Sequence, residues 1–438
     1  MYRTIRDAAA DLRGGELLCL DLLEMCLARI DQHDSRIRAW VVVDRDGARK
    51  AATRADAELK SGLDRGPLHG IPVGIKDIID VFDLPTACGS KRWQNSIARE
   101  DAPCVRRLRE AGAVLVGKTA TTQYASFDPS PTRNPWNTER TPGGSSSGSA
   151  AAVAMGMCLA ALASQTGGSI TRPASYCGVP SIKPTFGRVS TDGVLALAPS
   201  MDHVGAMANC VEDLEILLHA ISCPGSYSAP RCNEPVPVIG ISRGFFRRYA
   251  DDAVNRMMAM VRETLTEQGV AFVDIDLPSS FEEVIPRHRT IMAVEAALYH
   301  QERLARHPDD YAPNITQLVR EGIACPAPEY ARCKSHQQRL TEDMHMVLNG
   351  VGALLCPATT RAAPDAGTTG DPAFNSPWSY TGLPVVSLPV MLDGEGLPLC
   401  VQLVGPHGGE AHLFAVAAWC ARRLGPGIGL PPEGNRSV

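Results

Sequence analysis

The chain predicts an α/β fold: a single large α/β/α layered domain over residues 1–438, with a mixed, mostly parallel central sheet covered by helices. Three observations carry this. Segments with helical apolar spacing alternate with apolar runs of strand length, the pattern of layered α/β proteins. Glycine-rich bends, Gly143 to Ser149 and Gly167 to Ser169, fall where such runs end and helices begin. The 438 residues are 44% hydrophobic and 21% charged, which supplies a large core and excludes disorder or coiled coil.

Taken in order, residues 16–30 place Leu17, Leu18, Leu22, Met25, Cys26 and Ile30 at helical spacing. A strand over 40–43 and an alanine-rich helix over 44–60 follow. Pro67 and Gly70 close a linker, and residues 71–79 alternate as a buried strand carrying Lys76 and Asp77. Successive side chains on a strand face opposite ways, so those two cannot enter one pocket. Residues 102–112 predict a helix, 114–117 a strand and 127–142 a polar loop. That loop empties into the first glycine-serine cluster, followed by a small-residue helix over 149–157, a strand over 159–163 and a bend over 165–169. Past Pro180 come a strand over 236–241, a helix over 253–268 and a strand over 270–275. Residues 281–350 form a mainly helical, polar insertion with turns at Pro313 and Pro326-Ala327-Pro328; it reads equally as a substrate wall or as a surface cover. Strands over 354–357, 385–388 and 399–404 and a helix over 410–423 finish the chain.

A net charge of −5 with no basic cluster argues against nucleic acid or membrane as partner. The fourteen cysteines are scattered without a C-x-x-C pair, so no metal or cofactor is expected, and Cys158, Cys177, Cys356 and Cys400 read as small core residues. Without a signal pattern or an apolar run near the ~20 residues that span a bilayer, the expected location is cytoplasmic. The oligomeric state stays open, a homodimer included.

Serine needs a positioned base to become a nucleophile, and neither glycine-serine cluster contains a histidine. Lys76 is the candidate base: flanked by Val73, Ile75, Ile78 and Ile79, its ammonium form is disfavoured if the strand is central. Ser169 follows two glycines, so backbone can approach a reacting carbonyl, and the N–H groups of Thr166, Gly167, Gly168 and Ser169 can converge on one oxygen. Read alone, a Gly-Gly-Ser turn is more often structural, and a strand lysine more often reaches solvent from an edge. The first cluster lacks the lysine of a phosphate-binding loop, and the apolar run after it argues against a flexible linker.

Together, Gly70 to Asp77, Thr141 to Ala150 and Gln165 to Ser169 resemble the amidase signature family in order and spacing. Thr132 to Asn137, Ser181 to Thr185, Thr381 to Pro384 and Val401 to Pro406 extend the likeness over nearly the whole chain, least over 224–350. The resemblance implies a catalytic core over 70–210 and a triad of Lys76, Ser145 and Ser169, with Ser145 joined to Gly144 by a cis peptide and bridging the other two. It further implies attack by Ser169 on an amide carbonyl, an oxyanion hole of the Thr166 to Ser169 amides, and an acyl-enzyme. Ser146 would assist, and Ser147 would cap the next helix. Arg172 stands where malonamidase-like members hold a substrate carboxylate; the alternative is an internal ion pair, for example with Asp202. A stand-alone amidase is the first expectation, the A subunit of a tRNA-dependent amidotransferase the second, and a catalytically silent binding protein the third.

Overall fold

Apolar runs too short for helices pair edge to edge into one eleven-stranded sheet in the computed structural model, which describes residues 4–225, 236–242, 244–425 and 427–432. In chain order the strands are β1 (Trp40–Val43), β2 (Pro72–Lys76), β3 (Val114–Thr119), β4 (Ala160–Gln165), β5 (Ser181–Lys183), β6 (His203–Ala208), β7 (Val238–Ile241), β8 (Ala271–Asp274), β9 (Ala353–Pro357), β10 (Val385–Leu392) and β11 (Pro398–Val404). They lie side by side as β1-β3-β2-β4-β6-β5-β10-β11-β9-β7-β8.

The sheet is mixed, as expected, but not mostly parallel. β3-β2-β4 and β9-β7-β8 are parallel, whereas the six remaining pairings are antiparallel. The difference arises at the sheet's centre, where strands follow one another without a helical crossover. β10 returns directly into β11 through a turn closed by the Asp393 N–H on Leu397 O at 2.8 Å, and such a hairpin is necessarily antiparallel. β5 and β6 also pair antiparallel, joined by a long non-helical connection over 184–202.

The helices are α1 (Ile5–Gly14), α2 (Cys19–Ile37), α3 (Arg45–Lys60), α4 (Pro103–Glu110), α5 (Ser147–Ala154), α6 (Thr171–Cys177), α7 (Val211–Ile221), α8 (Gly244–Tyr249), α9 (Asp252–Glu267), α10 (Val284–Arg306), α11 (Pro313–Ala324), α12 (Ala327–Val347), α13 (Ser376–Tyr380) and α14 (Glu410–Leu424). α5 is buried along its whole length because its residues are small. A Cβ on its Gly148 would come within 2.3 Å of the Ala39 carbonyl oxygen, so only glycine lets the helix seat against that backbone. Pro313 and Pro328, expected to mark turns, occupy the first turns of α11 and α12, where a missing N–H costs no helical bond. The insertion is tied to the core: Ser90 and Tyr124 hydroxyls donate to the Asp310 carboxylate, and Asp128 accepts the Asn314 and Ile315 amides at the start of α11. Cys158, Cys177, Cys356 and Cys400 are buried, as the sequence suggested. Among the described residues no helix is long and apolar enough to cross a membrane.

Candidate active site

β2 runs between β3 and β4, so the side chain at its end is covered by neighbours on both flanks. Lys76 occupies that end and is fully buried. Its amine donates to Ser145 Oγ at 2.6 Å and to Ser164 Oγ at 2.8 Å. Burial drives its pKa down to about 7, against a smaller upward pull from the Asp202 carboxylate. Asp77 faces away, as strand alternation requires, and meets Lys118 at 3.3 Å and the Ala87 amide at 3.2 Å.

Ser145 lies in the bend that leads into α5, and the peptide joining it to Gly144 is cis. A Cβ on Gly144 would fall 2.7 Å from the Thr369 methyl and 2.9 Å from the Thr122 methyl, which explains glycine at that point. Ser146 Oγ lies 3.3 Å from the Ser164 amide and donates to the Ser164 carbonyl at 3.2 Å, bracing the strand that holds Ser164. Ser147 does not cap α5. It is the helix's first residue, and its hydroxyl meets Ser130 Oγ at 2.7 Å and the Ser145 carbonyl at 3.4 Å.

Ser169 is the most exposed of the three hydroxyl and amine groups at 8%, against 1% for Ser145 and 0% for Lys76. Its carbonyl accepts the Ser146 N–H at 3.3 Å, which joins the two bends. No hydrogen bond links the Ser145 and Ser169 hydroxyls among the described residues. The bend itself is held from outside. Gln165 Oε1 accepts the Ile170 and Thr171 amides at 2.9 and 3.0 Å, the Thr166 hydroxyl donates to Asp202, and His288 Nε2 lies 2.9 Å from the Thr166 carbonyl oxygen. The N–H groups of Thr166, Gly167, Gly168 and Ser169 enter no hydrogen bond among the described residues.

α6 follows the bend and carries Arg172, 1% exposed. The alternative of an ion pair with Asp202 does not occur. Asp202 is taken by Thr166 and by the Leu197 and Ala198 amides, while Arg172 Nη2 donates to the Gly144 carbonyl at 2.8 Å and to Thr369 Oγ1 at 3.3 Å. Arg172 Nε and Nη1 are buried without a partner among the described residues.

A cavity of about 240 Å³ abuts this chemistry, with Ser164, Thr166 and Asp202 in its wall. A roomier one of about 590 Å³, bordered by Phe186, Lys334, Tyr380 and His407, contains none of the three serine and lysine groups. Its wall includes Ser379, whose hydroxyl accepts from the Gln165 amide at 3.1 Å. Ser164, Thr369 and His288 escape a reading of the sequence, and Gln165 and Asp202, named there in a motif and as a possible partner of Arg172, take contacts with the bend that it does not foresee. Ser164 left one trace, a polar residue closing an otherwise apolar run.

A mixed α/β sheet whose strand ends bring a buried lysine amine to a serine hydroxyl, beside a Gly-Gly-Ser bend, frames the site, and the relatives of this fold make the chain a hydrolase. The chain belongs to the amidase family, whose model matches residues 21–414, and it acts on amide C–N bonds. It is 34% identical to the A component of the glutamyl-tRNA(Gln) amidotransferase of Roseiflexus sp. (strain RS-1), covering 94% of each chain. It is 33% identical to a putative amidase, AmiD, of Mycobacterium tuberculosis (strain ATCC 25618 / H37Rv), over 94% of this chain and 92% of that one. Among solved structures it resembles the native peptide amidase from Stenotrophomonas maltophilia, with a TM-score of 0.86 at 28% identity over 99% of both chains. Another structure, described as an amidase, gives a TM-score of 0.90 at 32% identity over 96% of this chain and 100% of that one.

Proposed function

We propose that the chain is a stand-alone amidase in which Ser169 is the nucleophile, Ser145 the relay and Lys76 the base, acting on a small amide that bears a carboxylate. One observation carries the reading: a fully buried amine with a pKa near 7 bonded at 2.6 Å to the Ser145 hydroxyl. A neutral lysine takes the Ser145 proton as Ser145 takes that of Ser169, and Ser169 Oγ forms the new C–O bond. The amides of Thr166 to Ser169, unengaged elsewhere, hold the oxyanion. As the C–N bond breaks, the proton returns from Lys76 through Ser145 to the departing nitrogen. Water then attacks the ester and gives its proton to the same relay, which returns it to Ser169 Oγ as the ester C–O bond breaks and the acid leaves. The Ser145–Ser169 link forms when substrate is bound, since catalytic hydrogen bonds in empty sites are commonly long.

Arg172 supports the carboxylate. A guanidinium buried with Nε and Nη1 unpartnered is costly, and a bidentate anion satisfies both. Residues 70–210 act as the catalytic core of one amidase domain, with 281–350 as its wall. The likeness to the amidotransferase component favours a second reading, glutamine hydrolysis on behalf of partner proteins.

A fluorophosphonate probe should label Ser169 in the wild type and leave Ser169→Ala unlabelled, and a panel of aliphatic, aryl and carboxylated amides should be cleaved by the purified chain. Arg172→Met should raise KM for carboxylated amides far more than for neutral ones. Activity confined to glutamine, and only with copurifying partners, would transfer the assignment to the second reading.

A further inference from the structure

The helical insertion touches the catalytic bend through His288 on α10, a residue 3% exposed. A carbonyl oxygen only accepts, so Nε2 carries the proton and donates to Thr166 O at 2.9 Å. Burial keeps the ring neutral, with its pKa down at about 4. The ring also lies over the next residue: its Cε1 is 3.5 Å from where a Cβ on Gly167 would stand. Two turns along the same helix, Glu295 accepts the Ser200 amide at 2.9 Å and the Ser200 hydroxyl at 2.5 Å. Ser200 belongs to the turn leading into Asp202, which accepts the Thr166 hydroxyl. α10 therefore holds Thr166 twice, at its carbonyl directly and at its hydroxyl by way of Asp202. Gly167 and Gly168 have no side chains to fix their own peptide planes, so that grip must come from outside.

We propose that His288 is a positioning residue for the oxyanion hole. In a planar trans peptide the Thr166 carbonyl and the Gly167 N–H point in opposite directions. Holding the carbonyl on the α10 side therefore aims the Gly167 N–H at the other side, where the tetrahedral oxygen forms, and makes the seating of the insertion a condition for turnover. This rests on the reading above that Ser169 attacks and the bend amides hold the oxyanion.

His288→Leu, which fills the space without a donor, and His288→Gln, which restores an N–H, separate the idea from simple packing. Active sites are counted by fluorophosphonate labelling of Ser169, and kcat is expressed per labelled site. The leucine variant should lose up to about 10²–10³-fold in kcat, the scale of one oxyanion donor, with KM little changed, and the glutamine variant should recover most of it. A phenylboronic acid, which places an oxygen in the hole as a tetrahedral Ser169 adduct, should weaken in parallel with kcat/KM in the leucine variant. Wild-type kcat in a folded leucine variant overturns the proposal, as does equal loss in leucine and glutamine. If the leucine variant does not fold, His288→Ala replaces it under the same criteria. A wild type that is not labelled at Ser169 overturns the underlying catalytic reading instead.

Discussion

Lys76 and Lys183 are both wholly buried, and burial brings both amines down to about 7. Their surroundings differ. Lys76 donates to two serine hydroxyls, whereas Lys183 donates to the Pro184 carbonyl at 3.0 Å and feels the Glu410 carboxylate, itself held by Arg188 at 2.6 Å. A carbonyl accepts a hydrogen bond but has no proton to hand on; a hydroxyl does both. Desolvation therefore leaves an amine unprotonated and free to accept a proton near neutrality, and the bonded hydroxyl decides whether that capacity reaches a nucleophile.

The comparison breaks most decisively on Lys76→Met. Loss of the base should lower kcat by about 10²–10⁴-fold without a lower melting temperature, because a buried unpaired amine gives way to an apolar chain of similar length. Intact turnover would end the role of Lys76. Next comes pH. Only neutral Lys76 accepts a proton, so kcat/KM should fall about tenfold per pH unit below about 7 and level off above it; a flat profile from pH 5 to 8 contradicts the assignment. Ser164→Ala removes one of the two hydroxyl contacts, worth about 1 kcal/mol, and should slow kcat about fivefold. The smallest effect belongs to Lys183→Met, for which kcat should stay at the wild-type value. Between about 7 and the ordinary 10.5 the unfolded chain binds the Lys183 proton and the folded chain does not, so wild-type stability rises with pH across that window. The methionine variant removes this dependence, and its gain in melting temperature should be largest at pH 7 and below. A destabilised variant at pH 6 would show that the bond to Pro184 outweighs desolvation.

What could be read from the chain follows the range of the interactions involved. Trp40 to Val43 and Arg45 to Lys60 were visible because a strand of β-branched residues and an alanine-rich helix are set by local pattern. β5 and β6 were not: one has three residues, and the other, His-Val-Gly-Ala-Met-Ala, is buried on both faces and has no alternation to detect. α1 and α7 carry real apolar stripes, such as Val211, Leu214, Leu218 and Ile221, but fall outside the segments the sequence pattern marks out. The absence of β5 and β6 from that pattern, and no sign that the strands over 385–388 and 399–404 form a hairpin, are what made the sheet look mostly parallel. At the candidate site, motifs point to Lys76, Ser145 and Ser169, and the structure brings Lys76 and Ser145 together. Ser164, Asp202 and His288 meet their partners only through sheet order and helix docking, which no local pattern records.

The neighbouring positions 76 and 77 sit on opposite sides of one pleat, and Lys118 occupies the carboxylate on the far side. The acid nearest the amine in sequence is thereby kept from quenching it. Slipping this strand by a single residue would send the carboxylate to the two hydroxyls and the amine to Lys118, leaving like charges face to face and nothing to draw a proton. The register of five residues thus works as an electrical insulator, and its integrity matters as much as the identity of the groups it separates.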